Sequence, residues 1–170
     1  MITVRCMEAG DVNILAEEFG MKQGWKDKTV ELFAKYFNEQ NSGARHVLVA
    51  LVDGVVAGYV TLLPNDTVGP FANKNFPTIC DFNVLIKFQR QGVGSILMDE
   101  IEKTAKQTSK VVCLAVGLYT NYGAAQRMYV KRGYIPDGSG LWYESRNLPP
   151  YEPCVNSDDL VLYMSKELCI

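Results

Sequence analysis

The sequence contains a single histidine, and none of its five cysteines stands in a CxxC pair. Zinc sites are built from several Cys and His ligands at short spacing, so we expect no bound metal. The cysteines are far apart and odd in number, at Cys6, Cys80, Cys113, Cys154 and Cys169. Because disulfide frameworks need paired cysteines in an oxidising compartment, we interpret these residues as reduced thiols of a cytoplasmic protein.

Long apolar runs are also missing. No window approaches the roughly 18 apolar residues of a membrane-spanning helix, and the start "MITVRCMEAGD" lacks the apolar segment of a signal peptide. The net charge is only -2 over 170 residues. A chain of that charge has no general attraction to nucleic acid or to an anionic membrane, so we expect neither as a partner.

The apolar residues that are present follow two periods. Helical spacing begins after Asp11, which we interpret as a helix N-cap, and returns in 28–40. The runs 46–52 and 55–63 are rich in β-branched residues, and the Asp53-Gly54 pair between them predicts a hairpin. Strands and helices then alternate to the end of the chain. The pattern predicts one α/β domain over residues 1–170.

A strand, a glycine-containing turn and a helix follow one another in "FNVLIKFQRQGVGSILMDEIEK". Gly92 and Gly94 let a ligand approach the main chain closely, and the first amides of the helix attract anions. Leu97 stands where a dinucleotide-binding motif needs its third glycine, and no Gly-Lys-Ser/Thr follows. The residues alone leave open whether this turn binds an anion or only begins a helix.

Two segments resemble the GNAT superfamily of N-acetyltransferases. "VLIKFQRQGVG" at 84–94 resembles its acyl-CoA pyrophosphate signature, Gln/Arg-x-x-Gly-x-Gly/Ala after a strand. "AQRMYVKRGY" at 125–134 resembles its other recurring segment, Ala-x-x-x-Tyr-x-x-x-Gly-Phe/Tyr. Their order and the β, α, α, hairpin beginning agree with the family, so the resemblance covers essentially the whole chain. It implies an α/β fold with a mixed central sheet of about six to seven strands and about four flanking helices.

The resemblance implies acetyl-CoA as co-substrate and an amine of a small molecule or peptide as acceptor. The strand ending at 84–86 would splay from the strand at 111–116, so that the pantetheine arm pairs with its exposed main chain. Tyr129 holds the family's position for the acid that protonates the departing thiolate. The implied cofactor contacts are Val84, Leu85, Ile86, Gln89, Arg90, Gln91, Gly92, Val93, Gly94, Ser95, Asn121 and Tyr129.

The general base is less clear, because the sequence departs from the family there. Cys80 stands where many members carry Glu, Ile86 replaces a common Pro, and Tyr122 replaces a common Asn. Asp81 is the best local carboxylate for a base, although a structural acceptor role fits it as well. His46 fits a structural role better, and proton loss through a water chain fits too.

We expect the amine to attack acetyl-CoA directly in a ternary complex. Cys80 and Cys113 lie inside predicted strands without a histidine partner to activate them as nucleophiles. The alternative class is a non-catalytic acyl-CoA-binding or regulatory module on the same fold, and a third is a domain unrelated to CoA. The basic cluster 127–132 is a solvated helix face or a site for the cofactor's 3′-phosphate. A homodimer is left open.

Family members usually form the acceptor pocket from the first helices and from the segment between the last two strands, which here are 17–33 and 142–160. Aromatic and acidic walls would suit a cationic amine. The alternative is that these side chains belong to the core and to a solvated loop. The residues concerned are Trp25, Trp142, Tyr143, Glu144, Tyr151, Glu152, Asp158 and Asp159.

Overall fold

The computed structural model describes residues 1–168, so Cys169 lies outside the described part of the chain. The strands are β1 (Ile2–Cys6), β2 (His46–Val52), β3 (Val55–Leu63), β4 (Thr78–Val84), β5 (Val111–Gly117), β6 (Ile135–Tyr143), β7 (Arg146–Asn147) and β8 (Leu160–Glu167). The helices are α1 (Asp11–Leu15), which continues as a π-helical segment (Ala16–Lys22), α2 (Val30–Asn41), α3 (Val93–Lys106) and α4 (Gly123–Lys131). No helix of residues 1–168 is both long and apolar enough to cross a membrane.

The α/β class and the mixed sheet are confirmed, and residues 1–168 contain eight strands where the sequence predicted six to seven. The additional strand is β7, which lies inside the segment 142–160 that the sequence places between the last two strands. It pairs with the end of β6 through Tyr143 and Trp142. The two residues of the connecting turn, Glu144 and Ser145, have φ angles of 47° and 66°. That left-handed turn lets so short a hairpin close.

The first compact unit comprises Met1–Pro64 and Cys80–Thr104. In it, β1, β2 and β3 pair in antiparallel order. The predicted hairpin at Asp53-Gly54 is confirmed, with φ angles of 49° and 83°. Residues from α1, the π-helical segment, α2 and the strands form one apolar cluster, in which Phe19, Phe33 and Tyr59 are fully buried.

The second compact unit comprises Asn65–Ile79 and the chain from Ala105 onward. Here β8 lies between β5 and β6 and pairs antiparallel with both. The first residues of β4, Thr78 and Ile79, pair with β5 in parallel. Helix α4 ends before Gly133, which adopts a φ of 88°, and the Tyr134 amide returns to the Tyr129 carbonyl at 3.0 Å.

Two local predictions are wrong. The strand expected to reach Ile86 ends at Val84, and a 3-10 turn occupies Ile86–Phe88. Asp11 is not the cap of α1, since Gly10 holds that position and Asp11 is already helical. The buried Asp11 carboxylate instead accepts the Arg5 guanidinium at 2.6 and 2.9 Å. A charged partner outcompetes capping because a buried carboxylate needs strong donors.

Candidate cofactor and acceptor sites

The turn before α3 has the geometry of an anion site. Arg90 and Gly92 adopt φ angles of 60° and 90°, and a Cβ at Gly92 would meet nothing within 4 Å. The first intrahelical bond joins the Ile96 amide to the Gly92 carbonyl at 3.1 Å. Within residues 1–168 the amides of 93–95 therefore have no hydrogen-bond acceptor inside the helix. The first turn also carries no acidic side chain. Such an end attracts phosphate.

The side chains predicted to contact the cofactor differ in exposure. Leu85 and Val93 are buried at 1% exposure each, so they belong to the core and offer a ligand only their main chain. Gly94 packs its Cα close to the Phe82 ring, which a Cβ would approach to 3.2 Å. Four polar side chains are exposed around the turn: Gln89, Arg90, Gln91 and Ser95.

The main chain expected to pair with pantetheine is already hydrogen-bonded. The Ile86 amide donates to Gln23 Oε1 at 2.8 Å, and Gln89 Nε2 donates to the Val84 carbonyl at 3.1 Å. The Leu85 amide donates to the Ala57 carbonyl at 2.9 Å. Sequence reasoning missed Gln23, because it lies in a distant loop and matches no motif.

Asp81 is the centre of a polar cluster in the first unit. Its Oδ1 accepts Lys28 Nζ at 2.7 Å, Asn83 Nδ2 at 2.7 Å and the Tyr59 hydroxyl at 3.0 Å. Its Oδ2 accepts the Tyr36 hydroxyl at 2.9 Å. Both oxygens are thus occupied by protein donors. A carboxylate so engaged is poorly placed to take a proton from a substrate, and the structure favours the structural alternative for Asp81.

The protonation states in this cluster reinforce one another. Burial alone would lower the pKa of the Lys28 ammonium, but Asp81 and Asp27 outweigh it and the pKa is raised. Burial, and then the Asp81 charge, raises the pKa of the Tyr36 and Tyr59 phenols. Lysine and phenols therefore keep their protons at neutral pH and donate to Asp81.

Cys80, at the position where the family often carries Glu, has no features of a nucleophile. Its Sγ lies 3.1 Å from Thr61 Oγ1 and 3.3 Å from Arg45 Nη1. Burial raises the pKa of the thiol in spite of these contacts. A protonated thiol attacks thioesters poorly, which agrees with direct transfer. Cys113 is fully buried and offers a substrate no exposed sulfur.

A cavity of about 620 Å³ lies in the first unit, between α1, the π-helical segment and the start of α2. Trp25 and Met21 give it apolar walls, and Trp25 is one of the residues that the sequence predicts around the acceptor. The walls of this cavity are not acidic, since Lys26 and Lys28 line it. The carboxylate that also lines it, Glu17, pairs with Lys22 at 2.9 Å.

In the second unit, Tyr129 lies on α4 and is buried. Its ring centroid is 5.7 Å from that of Tyr134. Burial raises the pKa of the Tyr129 phenol, so it keeps its proton at neutral pH. This is the protonation state that a general acid requires.

The other residues of the second unit that were predicted to contact the acceptor or the cofactor each have different neighbours. Asp158 accepts the hydroxyls of Tyr119 at 2.6 Å and Tyr122 at 2.7 Å, and Glu152 pairs with Arg146. Trp142 packs against the Tyr163 ring at 5.4 Å. These contacts favour core and loop roles. Asn121 is exposed in the 3-10 turn before α4, next to the Tyr122 that replaces the family's Asn.

His46 and the basic cluster lie at the surface. His46 is the exposed first residue of β2, and Arg127 and Lys131 are exposed on α4. Cys6, Cys80 and Cys154 are free thiols. Across residues 1–168, no cluster of His, Cys, Asp and Glu could hold a metal ion.

The family follows from a sequence comparison. The profile of the Acetyltransferase (GNAT) family matches residues 12–134, which is more than half of the chain. The chain therefore belongs to the GNAT acetyltransferase family. No protein of curated function matches the sequence at a significant level.

Solved structures of GNAT proteins share this fold. An acetyltransferase of the GNAT family from Streptococcus pneumoniae is 18% identical with a TM-score of 0.68, and the match covers 99% of this chain and 100% of that chain. A ribosomal-protein-alanine N-acetyltransferase from Brucella melitensis is 17% identical with a TM-score of 0.70, covering 98% and 99%. An aminoglycoside 6'-N-acetyltransferase complexed with coenzyme A is 12% identical with a TM-score of 0.68, covering 99% and 98%. At these identities the likeness is one of fold.

Proposed function

We propose that this protein transfers an acetyl group from acetyl-CoA to the amine of a small molecule or peptide, by direct attack in a ternary complex. The observation that carries the proposal is the turn before α3. Gly92 has no side chain that would block a ligand from the main chain of this turn. The amides of 93–95 form the N-terminal end of α3, whose first turn has no acidic side chain. Membership in the GNAT family makes the pyrophosphate of acyl-CoA the natural anion for this turn.

The cofactor would supply an activated acetyl group as a thioester. Main-chain amides of 92–95 would hold the pyrophosphate, and the exposed side chains of Gln89, Arg90 and Gln91 would add donors. The main chain at 84–86 would receive the pantetheine arm, as the resemblance implies. The hydrogen bonds that Gln23 and Gln89 make there would have to be exchanged.

The acceptor amine must lose a proton before it attacks, because an alkylammonium has no free electron pair. Asp81 is occupied by four donors, so a water chain is the better candidate for this proton. Tyr129 would give its hydroxyl proton to the departing thiolate. A phenol with the usual pKa of about 10 already holds that proton at neutral pH, and burial raises the pKa of Tyr129 further.

Binding and turnover test this proposal in two steps. A ligand that binds only the folded protein stabilises it by about 2.7 kcal/mol at a concentration of about 100 times Kd. We expect CoA to raise the melting temperature, and acetyl-CoA to release free thiol with at least one acceptor. The acceptor panel should contain polyamines, aminoglycosides, amino acids and peptides with free N-termini. No stabilisation by CoA would exclude the proposal.

The main alternative is a non-catalytic acyl-CoA-binding module on the same fold. It is favoured by the absence of Glu at the Cys80 position and by the occupied carboxylate of Asp81. It predicts stabilisation by CoA without thiol release on any acceptor of the panel.

The cytoplasmic location also stays a prediction from the cysteine pattern.

A further inference from the structure

The side chain of Gln23 has one satisfied and one unsatisfied end. Its Oε1 accepts the Ile86 amide at 2.8 Å. Its Nε2 is buried and has no hydrogen-bond partner within residues 1–168. Rotating the carboxamide would only turn an N–H donor toward another N–H donor, so the orientation is fixed. A buried donor without an acceptor costs free energy, and the rest of the side chain's contacts must offset it.

The carboxamide of Gln23 is the same chemical group as the amides of a pantetheine arm. A main-chain amide has one hydrogen, and Gln23 Oε1 at 2.8 Å already takes that of Ile86. A pantetheine carbonyl and Gln23 therefore compete for the same donor. One turn further along, the Gln89 carboxamide occupies the Val84 carbonyl in the same way.

We propose that Gln23 accepts the Ile86 amide until the pantetheine arm of acyl-CoA displaces it. This competition lowers the affinity for acyl-CoA. The inference rests on the proposed function. Breaking the bond to Ile86 is offset only in part, because the Gln23 Nε2 atom gains a partner, water or protein, once the side chain moves away. Gln23 lowers the affinity for acyl-CoA by the free energy of the bond that must be broken.

Displacing Gln23 also affects the cavity between α1, the π-helical segment and the start of α2. Gln23 ends the π-helical segment and begins the loop 23–29. Trp25, Lys26 and Lys28 of that loop line the cavity of about 620 Å³. Release of Gln23 from Ile86 removes one of the contacts that hold this loop. Cofactor binding at 84–86 is thereby linked to the mobility of the loop 23–29, which forms one wall of the cavity.

The decisive variant is Gln23→Ala, measured by isothermal titration calorimetry with two probes, CoA and adenosine 3′,5′-bisphosphate. The second probe lacks the pantetheine arm. We expect Gln23→Ala to bind CoA about 3- to 10-fold more tightly, which corresponds to about 0.7–1.4 kcal/mol. The affinity for the bisphosphate should not change.

Gln40→Ala is the matched control. The Gln40 carboxamide also bonds main-chain groups, accepting the Met7 amide at 3.3 Å and donating to the Met7 carbonyl at 2.9 Å. It should lower stability without changing the affinity for CoA. An unchanged or weaker affinity of Gln23→Ala for CoA would overturn the inference. So would an equal shift for both probes, because that is the signature of a purely structural role.

Hydrogen exchange in the unmodified protein gives an independent reading. Saturating CoA should slow exchange at 84–86 and accelerate it in the loop 23–29, whereas the bisphosphate should leave 23–29 unchanged. Slower exchange of 23–29 with CoA would mean that Gln23 stays in place, and the inference would be wrong. If the unmodified protein binds neither probe, the proposed function itself fails before any variant is compared.

Discussion

Asp81, the candidate general base by its place in the sequence, lies in an unusual backbone conformation and accepts several protein donors. It adopts a φ of 45° inside β4, a left-handed conformation that costs a non-glycine residue about 1–3 kcal/mol. Four donors from Lys28, Tyr36, Tyr59 and Asn83 hold it there. The cluster fixes the course of β4 just before the predicted cofactor segment. Asp81 as the general base stays a prediction that this geometry does not favour.

Replacing Asp81 by Asn separates the two roles. The change leaves the Lys28 ammonium, whose side chain is 11% exposed, without its buried partner. Breaking a buried pair typically costs about 3–5 kcal/mol, and we expect about 2–3 kcal/mol here because Asp27 remains. Urea denaturation measures the loss. Asp27→Asn, at a position 71% exposed, should cost less than about 1 kcal/mol. If Asp81→Asn is fully stable but inactive, the base assignment is correct.

Tyr129→Phe tests the general acid. The ring keeps its packing against Tyr134 and only the hydroxyl is lost. General acid catalysis contributes about 10²- to 10⁴-fold, so turnover should fall within that range while CoA affinity changes little. Tyr163→Phe is the control, since Tyr163 is also buried in the second unit and has no proposed role. Equal turnover of wild type and Tyr129→Phe would assign Tyr129 to the core.

At the scale of elements, the α1–α2 hairpin has the most unusual geometry. Its first helix widens into a π-helical segment at Ala16–Lys22, and the chain then folds back tightly. The Trp25 amide returns to the Phe19 carbonyl at 3.2 Å. This return brings Lys28 to Asp81 and forms a wall of the cavity. π-Helical turns are frequent at functional sites, where they change the direction of side chains.

Gly20 is the residue on which that hairpin depends. A Cβ at Gly20 would lie 2.2 Å from the Lys28 carbonyl oxygen, so the backbone of the loop would have to move. We expect Gly20→Ala to destabilise by about 1–3 kcal/mol, measured by thermal and urea unfolding. Gly123→Ala is the control, because a Cβ there meets nothing within 4 Å and Gly123 is helical. It should be neutral or stabilise by up to about 1 kcal/mol. Equal stability of the two variants would contradict the close approach.

At the scale of the whole molecule, groups with raised pKa values make the stability depend on alkaline pH, and the buried phenols are the most numerous of those discussed above. Burial raises the pKa values of Tyr36, Tyr59 and Tyr129 above the usual value of about 10. The unfolded chain therefore releases these protons at lower pH than the folded protein. The stability that they contribute is fully present below pH of about 10 and is lost as the pH rises above it.

Unfolding free energies measured in urea between pH 7 and pH 11 test this dependence. We expect a plateau up to about pH 9, and then a fall of up to about 1.4 kcal/mol per pH unit for each buried phenol. Tyr36→Phe should reduce the slope above pH 10. Tyr151→Phe, at a fully exposed position, should leave it unchanged. A flat profile to pH 11 would show that these phenols titrate normally.

The sequence by itself determined the fold class, the hairpin at Asp53-Gly54 and the glycine turn before α3. These features are local, since apolar period, turn residues and glycine positions act over a few neighbouring residues. The same local motifs identified the GNAT family. Element boundaries were less accurate, because β4 ends early at a turn and β7 forms only through pairing with β6.

Only the tertiary structure decided which hydrogen-bond partners the polar side chains have. Asp81 is a motif neighbour in sequence, but its four donors come from the loop before α2, from α2 itself, from β3 and from β4. Gln23 matches no motif and reaches the main chain at Ile86 across 63 positions. Hydrogen bonding and burial depend on which distant segments meet, and no short pattern encodes that. The chemistry of a side chain is written in the sequence, whereas its partners are set by packing.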